Sequence, residues 1–114
     1  MRVEKFKYLV WAKDLGRAVD FYQRVFGAEL AHRSEVMAEC IIAGGVLGIH
    51  SGGEGKRTWT GLTFQVDQLF EACDLLRAAG GTVLKPPVDT PEEPAHLAMC
   101  VDPEGNEIML TRQR

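Results

Sequence analysis

The sequence lacks the features that mark membrane, secreted and nucleic-acid-binding proteins. No apolar run approaches the roughly 18 residues that a membrane-spanning helix needs, and the N-terminus, Met-Arg-Val-Glu-Lys, has no apolar signal core. The formal net charge is −3 and there is no basic run, so nucleic acid is not an expected partner. We therefore expect a cytoplasmic protein that contacts neither membrane nor nucleic acid.

Cysteine is also scarce, and its pattern excludes two further classes of protein. Cys40, Cys73 and Cys100 are odd in number and form no Cys-x-x-Cys pair, so they predict neither a disulfide framework nor a zinc cluster. No basic side chain is evident beside Cys40 or Cys100 that would activate a thiol. Both residues are therefore expected to pack in the core.

The stretch from Tyr8 to Gly27 carries the strongest local signal. It begins as an alternating strand, and Asp14 then offers a short carboxylate to the free amides of a helix N-terminus. Gly27 supplies the positive φ that commonly ends a helix. Between these two residues, apolar side chains recur at helical spacing: Leu15, Ala18, Val19, Tyr22 and Phe26.

The same unit returns in the second half of the chain. One constant shift superimposes Leu15 on Leu69, Ala18 on Ala72, Gly27 on Gly81 and Leu30 on Leu84. These matches fall on the helix face, the helix end and the next strand, so the chain is interpreted as a duplicated module. Each half, of about 55 residues, would be marginally stable alone. We therefore predict one domain over 1–114, built from modules at about 1–55 and 58–114.

The pattern predicts an α+β fold of two paired βαβββ modules, with helices on one face of a curved mixed sheet and a concave face opposite. Gly44-Gly45 is expected to form a two-residue hairpin turn, and Gly27 and Gly81 are both expected to be left-handed. Strands are predicted at 3–12, 28–34, 37–43, 46–50, 59–66, 82–88, 96–101 and 107–111, and helices at 15–26 and from 67 or 68 to 79.

Two motifs carry a resemblance to a known family. They are Leu9-Val10-x-x-x-Asp14-Leu15-x-x-Ala18-x-x-Phe21-Tyr22-x-x-x-x-Gly27 and the late turn Asp102-Pro103-Glu104-Gly105-Asn106. Together they resemble the vicinal oxygen chelate superfamily, which includes glyoxalase I, extradiol dioxygenases, fosfomycin-resistance enzymes and bleomycin-resistance proteins. The resemblance implies the glyoxalase/bleomycin-resistance-like fold and pairing of modules, side by side or swapped, in a homodimer.

The same resemblance implies four positions at which the family's enzymes hold a divalent metal. In this sequence they are Lys7, Gly61, Met109 and Gly48, or His50 in place of Gly48 after a two-residue register shift. A protonated lysine repels a dication, and the methionine thioether is unsuited to hard metals such as magnesium and manganese. We therefore expect no metal and no other cofactor.

The concave face is expected to hold the ligand site. Parity places Lys7, Leu9 and Trp11 on this face, with His50 near Lys7 on a neighbouring strand. Lys7 would pair with Glu39, with Glu107 or with an anionic ligand, although it could also point to solvent. The full set of predicted ligand-binding residues is Lys7, Leu9, Trp11, His50, Thr63, Gln65 and Met109.

Two functions remain open at this point. The first is a metal-independent binding protein that holds an aromatic or anionic small molecule between modules. The second is a metal-independent enzyme, with lyase, isomerase or transferase chemistry, that uses His50 as acid or base and Lys7 as electrostatic stabiliser. No set of nucleophile, base and orienting group is visible in the sequence, which favours binding. Trp59, at the start of a strand, is expected to pack on the partner half.

Overall fold

Each half of the chain folds as a βαβββ module in the computed structural model, which describes residues 1–114. The first module contains β1 (Lys7–Ala12), α1 (Leu15–Phe26), β2 (Glu29–Arg33), β3 (Met37–Ile42) and β4 (Gly45–Ser51). The second contains β5 (Thr58–Gln65), α2 (Leu69–Ala78), β6 (Thr82–Lys85), β7 (Leu97–Val101) and β8 (Asn106–Thr111). The predicted α+β pair of modules is confirmed.

Each module builds one mixed four-stranded sheet. The strand orders are β1-β4-β3-β2 and β5-β8-β7-β6. The β1–β4 and β5–β8 pairs are parallel, and the remaining pairs are antiparallel. β1 and β5 are therefore the edge strands at matching places in the two copies. Neither helix is long and apolar enough to cross a membrane.

Helix α1 begins and ends as its sequence predicts. Asp14 is extended, and its side chain accepts the Arg17 amide, which satisfies one free donor of the first turn. Gly27 is left-handed, with φ of 65°, and its amide closes the last turn. Phe21 and Tyr22 are completely buried, so this helix supplies the largest side chains of the core.

Helix α2 ends differently from the prediction. The left-handed residue is Gly80, with φ of 96°, whereas Gly81 does not have a positive φ. A Cβ at position 81 would lie 2.6 Å from Cδ2 of Leu76 and 3.0 Å from Cε1 of Phe21. Gly81 therefore provides room for close packing between a helix and the chain that follows it, and the prediction of a left-handed Gly81 was wrong.

Most of the predicted boundaries shift by one or two residues, and three differences have identifiable reasons. β1 begins at Lys7 instead of Val3 because Lys7 lies opposite Val46, near the start of β4, and earlier residues have no ladder partner. β6 stops at Lys85 because two prolines follow. The β3–β4 turn consists of Ala43 and Gly44, with φ of 49° and 80°, so Gly45 belongs to β4 and the predicted Gly44-Gly45 turn was wrong by one residue.

Candidate small-molecule site

A groove of about 500 Å³ runs along the face of β1 that points away from α1. Val10 and Ala12 are buried against the helix layer, whereas Lys7, Leu9 and Trp11 alternate with them and are exposed. The first residues of β5 form the opposite wall. Lys7, Leu9 and Trp11 therefore share one groove, in agreement with the predicted parity.

Trp59 is the main groove residue that sequence reasoning missed. It was expected only to pack on the partner half, but it lines the same groove as Trp11 and more than half of its surface is exposed. The signal available in the sequence was its place at the start of β5, the strand that repeats β1. The groove thus has one tryptophan from each module.

Lys7 is held by an internal carboxylate. Its Nζ donates to Oε2 of Glu39 at 2.5 Å, and Nζ of Lys5 approaches Oε1 of the same residue at 3.4 Å. The lysine at position 7, supported by Lys5, lowers the pKa of Glu39 below its ordinary value, because both ammonium groups favour the ionised carboxylate. Two lysines share one carboxylate, so this part of the site keeps one net positive charge.

His50 lies beside Trp11 and not beside Lys7. Residue 50 is opposite Trp11 in the β1–β4 ladder, whereas Lys7 is opposite Val46. Four residues of strand therefore separate His50 from Lys7, roughly 13 Å along the sheet. The rings of His50 and Trp11 are 5.0 Å apart. The Nδ1 atom of His50 is 2.7 Å from the Ser51 carbonyl oxygen, and a carbonyl only accepts, so Nδ1 carries the proton and Nε2 is the basic nitrogen.

The other predicted ligand-binding residues lie on the second sheet, outside this groove. Thr63 is opposite Met109 in the β5–β8 ladder, and the Thr63 hydroxyl donates to the Gly61 carbonyl at 3.1 Å. Thr63 and Gln65 line a separate cavity, about 650 Å³ in volume, between the modules. The chain therefore brings together Lys7, Leu9 and Trp11, with His50 against Trp11, but not Thr63, Gln65 or Met109.

The residues at the family's four metal positions do not fit a metal ion. Lys7 is paired with Glu39, Gly48 and Gly61 have no side chain, and the thioether of Met109 is unsuited to hard metals. A Cβ at position 48 would lie 3.1 Å from Cδ1 of Leu9, so an apolar side chain crowds this position. No group of three or more His, Cys, Asp or Glu side chains in residues 1–114 is arranged to hold an ion.

The turn motif has a second role that the sequence did not reveal. Asp102, Glu104 and Asn106, here called the polar cluster, are the chain's three buried polar or charged residues. The carboxylate of Glu104 accepts the Asp14 amide at 2.8 Å and Nε of Arg17 at 2.7 Å. The polar cluster therefore ties the second module to α1 of the first.

Two further bonds complete this tie. The Tyr22 hydroxyl donates to Asp102 at 2.7 Å, and Nδ2 of Asn106 donates to the Trp11 carbonyl at 2.8 Å. Burial, followed by the charge and hydrogen bond of Asp102, raises the pKa of Tyr22 well above its ordinary value. Trp11 lines the groove. The bond from Asn106 to its carbonyl therefore holds this part of the candidate site in place.

The cysteines have no catalytic character. Cys40, Cys73 and Cys100 are all buried, as expected for the first and third of them. Burial raises the pKa of Cys40 and Cys73, and that of Cys100 to about 12. A thiol that stays protonated near neutral pH is a poor nucleophile.

The sequence of the chain matches the model of a known protein superfamily. The model of the Glyoxalase/Bleomycin resistance protein/Dioxygenase superfamily matches residues 6–110. The chain belongs to this superfamily. The resemblance inferred from the motif at residues 9–27 and from the turn at residues 102–106 is thereby confirmed.

Individual members of the superfamily are similar to the chain at low identity. A probable lactoylglutathione lyase from Vibrio cholerae is 24% identical, covering 89% of this chain and 84% of that protein. The fosfomycin resistance protein FosX from Listeria monocytogenes has a TM-score of 0.81 and 22% identity, covering 100% of this chain and 94% of that one. TioX from Micromonospora sp. ML1 has a TM-score of 0.74 and 25% identity, covering 98% and 100%. These similarities identify the fold, and the chemistry must be argued from the site.

Proposed function

We propose that this superfamily member is a metal-independent small-molecule binding protein that holds an aromatic anion in the groove between β1 and β5. The observation that supports this most strongly is the juxtaposition of Lys7 with Trp11 and Trp59 along one groove. The tryptophan rings offer flat apolar surfaces for stacking, and the lysine offers charge. Binding pockets of this kind combine apolar walls with a few polar groups that fix orientation.

The charge balance favours an anion. Glu39 neutralises only one of the two ammonium groups near it, so a ligand carboxylate or phosphonate would meet residual positive charge. The family's enzymes place a metal dication at this position of the fold, and Lys7 would supply part of that charge without a cofactor. Stacking on one tryptophan would add about 0.5–1.5 kcal/mol beyond the burial of area.

The groove is open on one side, and we propose that a second copy of the chain covers it. Leu9, Trp11 and Trp59 are each at least half exposed although they are large and apolar. A contiguous exposed apolar surface of this kind is typical of an interface. A homodimer, with twice the 12.6 kDa mass of one chain, is the expected species in sedimentation at micromolar concentration. A single species near 12.6 kDa would contradict it.

The binding function is tested by titrating the protein with 1-naphthoate and with neutral 1-naphthalenemethanol in a calorimeter. Replacing Lys7 by alanine should weaken 1-naphthoate by about ten-fold, or roughly 1.4 kcal/mol, and reduce the salt dependence, with little effect on the neutral probe. Replacing Trp11 by alanine should weaken both probes alike. Lys85→Ala, which removes the same charge outside the groove, is the matched control. Unchanged affinity and salt dependence in Lys7→Ala would contradict the proposal.

A second candidate is supported by the tautomer of His50. Its Nδ1 is committed to the Ser51 carbonyl, which leaves Nε2 as a base in a site without metal ligands. An enzyme of this kind would act as an isomerase, lyase or transferase. Formation or breakdown of lactoylglutathione, suggested by the name of the Vibrio cholerae relative, is the first reaction to assay. Turnover that survives chelators but is lost in His50→Ala would establish the enzyme, whereas turnover that is unchanged in His50→Ala would contradict the role of His50.

A further inference from the structure

A cavity of about 650 Å³ lies between the modules, next to the groove, with Phe6 and Tyr8 on the border of both. The groove and the polar cluster meet at the C-terminal end of β1, where Asn106 binds the Trp11 carbonyl. The cavity lies at the other end of the same strand, beside Phe6 and Tyr8, and at the C-terminal end of β5. Its walls include side chains from both modules, notably Phe26, Leu47, Leu62 and Phe64.

The cavity exists because the two copies of the module have turns of different length. At the end that holds the polar cluster, four residues link β7 to β8, and one of them, Glu104, fills the space between modules with a buried carboxylate. At the cavity, only Ala43 and Gly44 link β3 to β4. This two-residue turn is too short to send a side chain across the gap, so the duplicated architecture leaves one end unfilled.

The lining of the cavity has a defined chemistry. Eleven of its fifteen residues are hydrophobic. Phe26 and Phe64 stack at 4.0 Å between ring centroids, with an angle of 18° between their planes, so they give the cavity a flat aromatic wall shared by the two modules. Asp67 is the one charged residue among those that line it, and Gln65 lies at the same edge. The charge of the rim is thus opposite to that of the groove.

We propose that this cavity is a second binding site, for a small molecule with a flat apolar body and a cationic amine. The apolar body would contact Phe26 and Phe64, and the amine would face the Asp67 carboxylate. The volume falls within the roughly 300–1,000 Å³ of known small-molecule sites. This site does not depend on the function proposed for the groove. Phe6 and Tyr8 border both, but the stacking surfaces differ, Phe26 and Phe64 in the cavity and Trp11 and Trp59 in the groove, and so does the sign of the charge.

The test uses three naphthalene probes of similar size on the full-length protein: 1-naphthylmethylamine, 1-naphthalenemethanol and 1-naphthoate. Amide shifts in a ¹⁵N-labelled sample locate each probe. The amine should saturate with shifts at Phe26, Phe64 and Asp67, and it should bind more tightly than the neutral probe at this site. Naphthoate should bind there most weakly. Absence of saturable binding of the amine, or shifts confined to Trp11 and Trp59, would overturn the proposal.

Two variants separate this site from the groove. Asp67→Asn changes one exposed carboxylate without changing its shape, and it should weaken the amine by about three- to five-fold, as for a partly exposed charge pair, while leaving the neutral probe unchanged. Trp11→Ala should leave the amine's affinity for the cavity unchanged. An amine affinity that is insensitive to Asp67→Asn, or that falls in Trp11→Ala, would show that the probe binds elsewhere and would overturn the proposal.

Discussion

The two ends of the interface between modules are built from opposite kinds of contact. At one end, Asp102, Glu104 and Asn106 are buried and hydrogen-bonded to α1 and β1. At the other, Phe26 stacks on Phe64 beside an open apolar cavity. Hydrogen bonds impose direction, whereas apolar contacts do not. The polar end therefore sets how the modules are oriented, and the apolar end can accept a guest without losing a specific bond.

The polar end is stabilising only because every member has a partner. No buried side-chain nitrogen or oxygen in residues 1–114 is left without a hydrogen bond. The Glu104 side chain has no exposed surface, whereas half of the Arg17 side chain is in water. A buried carboxylate costs free energy unless its oxygens are bonded. Removing one member should therefore cost more than the bond itself is worth, because the remaining groups stay buried.

The largest expected effect is that of Asp102→Ala. This change deletes the acceptor for the Tyr22 hydroxyl, for the Glu104 and Asn106 amides and for the Asn106 side chain. It should lower the free energy of unfolding by about 3 kcal/mol or more, measured by urea denaturation. Asp67→Ala, at the cavity, removes the same group from an exposed position and should change stability by at most about 0.5 kcal/mol. Equal losses of stability in Asp102→Ala and Asp67→Ala would show that the buried hydrogen bonds of the polar end do not stabilise the protein more than the exposed carboxylate at the cavity.

Much of the fold could be predicted because its signals are local. The spacing of apolar residues and the Asp14 cap depend on neighbouring positions, and the internal repeat then carries the same interpretation from the first module to the second. Together they predicted both modules, and α1 to the residue. Gly81 shows the limit. It was interpreted as a left-handed helix end, but its role is set by Leu76 and by Phe21, and Phe21 belongs to the helix of the other module.

The candidate site could be predicted only in part for the same reason. Strand parity placed Lys7, Leu9 and Trp11 on one face, and the pairing of Lys7 with Glu39 was among the foreseen alternatives. The sequence gives no measure of how far apart the two sheets lie, so Thr63, Gln65 and Met109 were assigned to the same cleft. The bond between Tyr22 and Asp102 spans 80 residues, and turn chemistry alone accounted for Asp102 in the sequence.

An intermediate effect is expected at the apolar end, from Phe64→Ala. The ring of Phe64 contacts Phe26 at 4.0 Å and Tyr22 at 6.3 Å between centroids, so its loss removes the main apolar bridge between modules beside the cavity. Truncating a fully buried phenylalanine to alanine lowers the free energy of unfolding by about 3–5 kcal/mol. Phe64 is only partly buried, so about 2 kcal/mol is expected in urea denaturation.

Tyr22→Phe is the matched control at the polar end. It keeps the buried ring and removes one hydroxyl, which should cost about 1–2 kcal/mol because Asp102 then loses a donor. If Phe64→Ala costs less than Tyr22→Phe, the apolar end contributes little to holding the modules together. The cavity would then be a consequence of weak contact and not of a short turn.

The smallest expected effect is a dependence on pH that belongs to the polar end. Burial raises the pKa of Asp102 above its ordinary value of 3.8, and the hydrogen bonds from Tyr22 and Asn106 oppose this shift only in part. The folded protein therefore holds this proton to a higher pH than the unfolded chain. The stability gained from protonation is fully present below pH 3.8 and is lost as the pH rises through the raised pKa.

Asp102→Asn keeps one oxygen acceptor but cannot ionise, so the native chain should lose stability relative to this variant as the pH rises through that window. Urea midpoints of both proteins, measured from about pH 4 to about pH 7 at constant ionic strength, give the difference directly. A constant difference, or one that changes in the opposite sense, would show that the hydrogen bonds to the ionised carboxylate outweigh its burial.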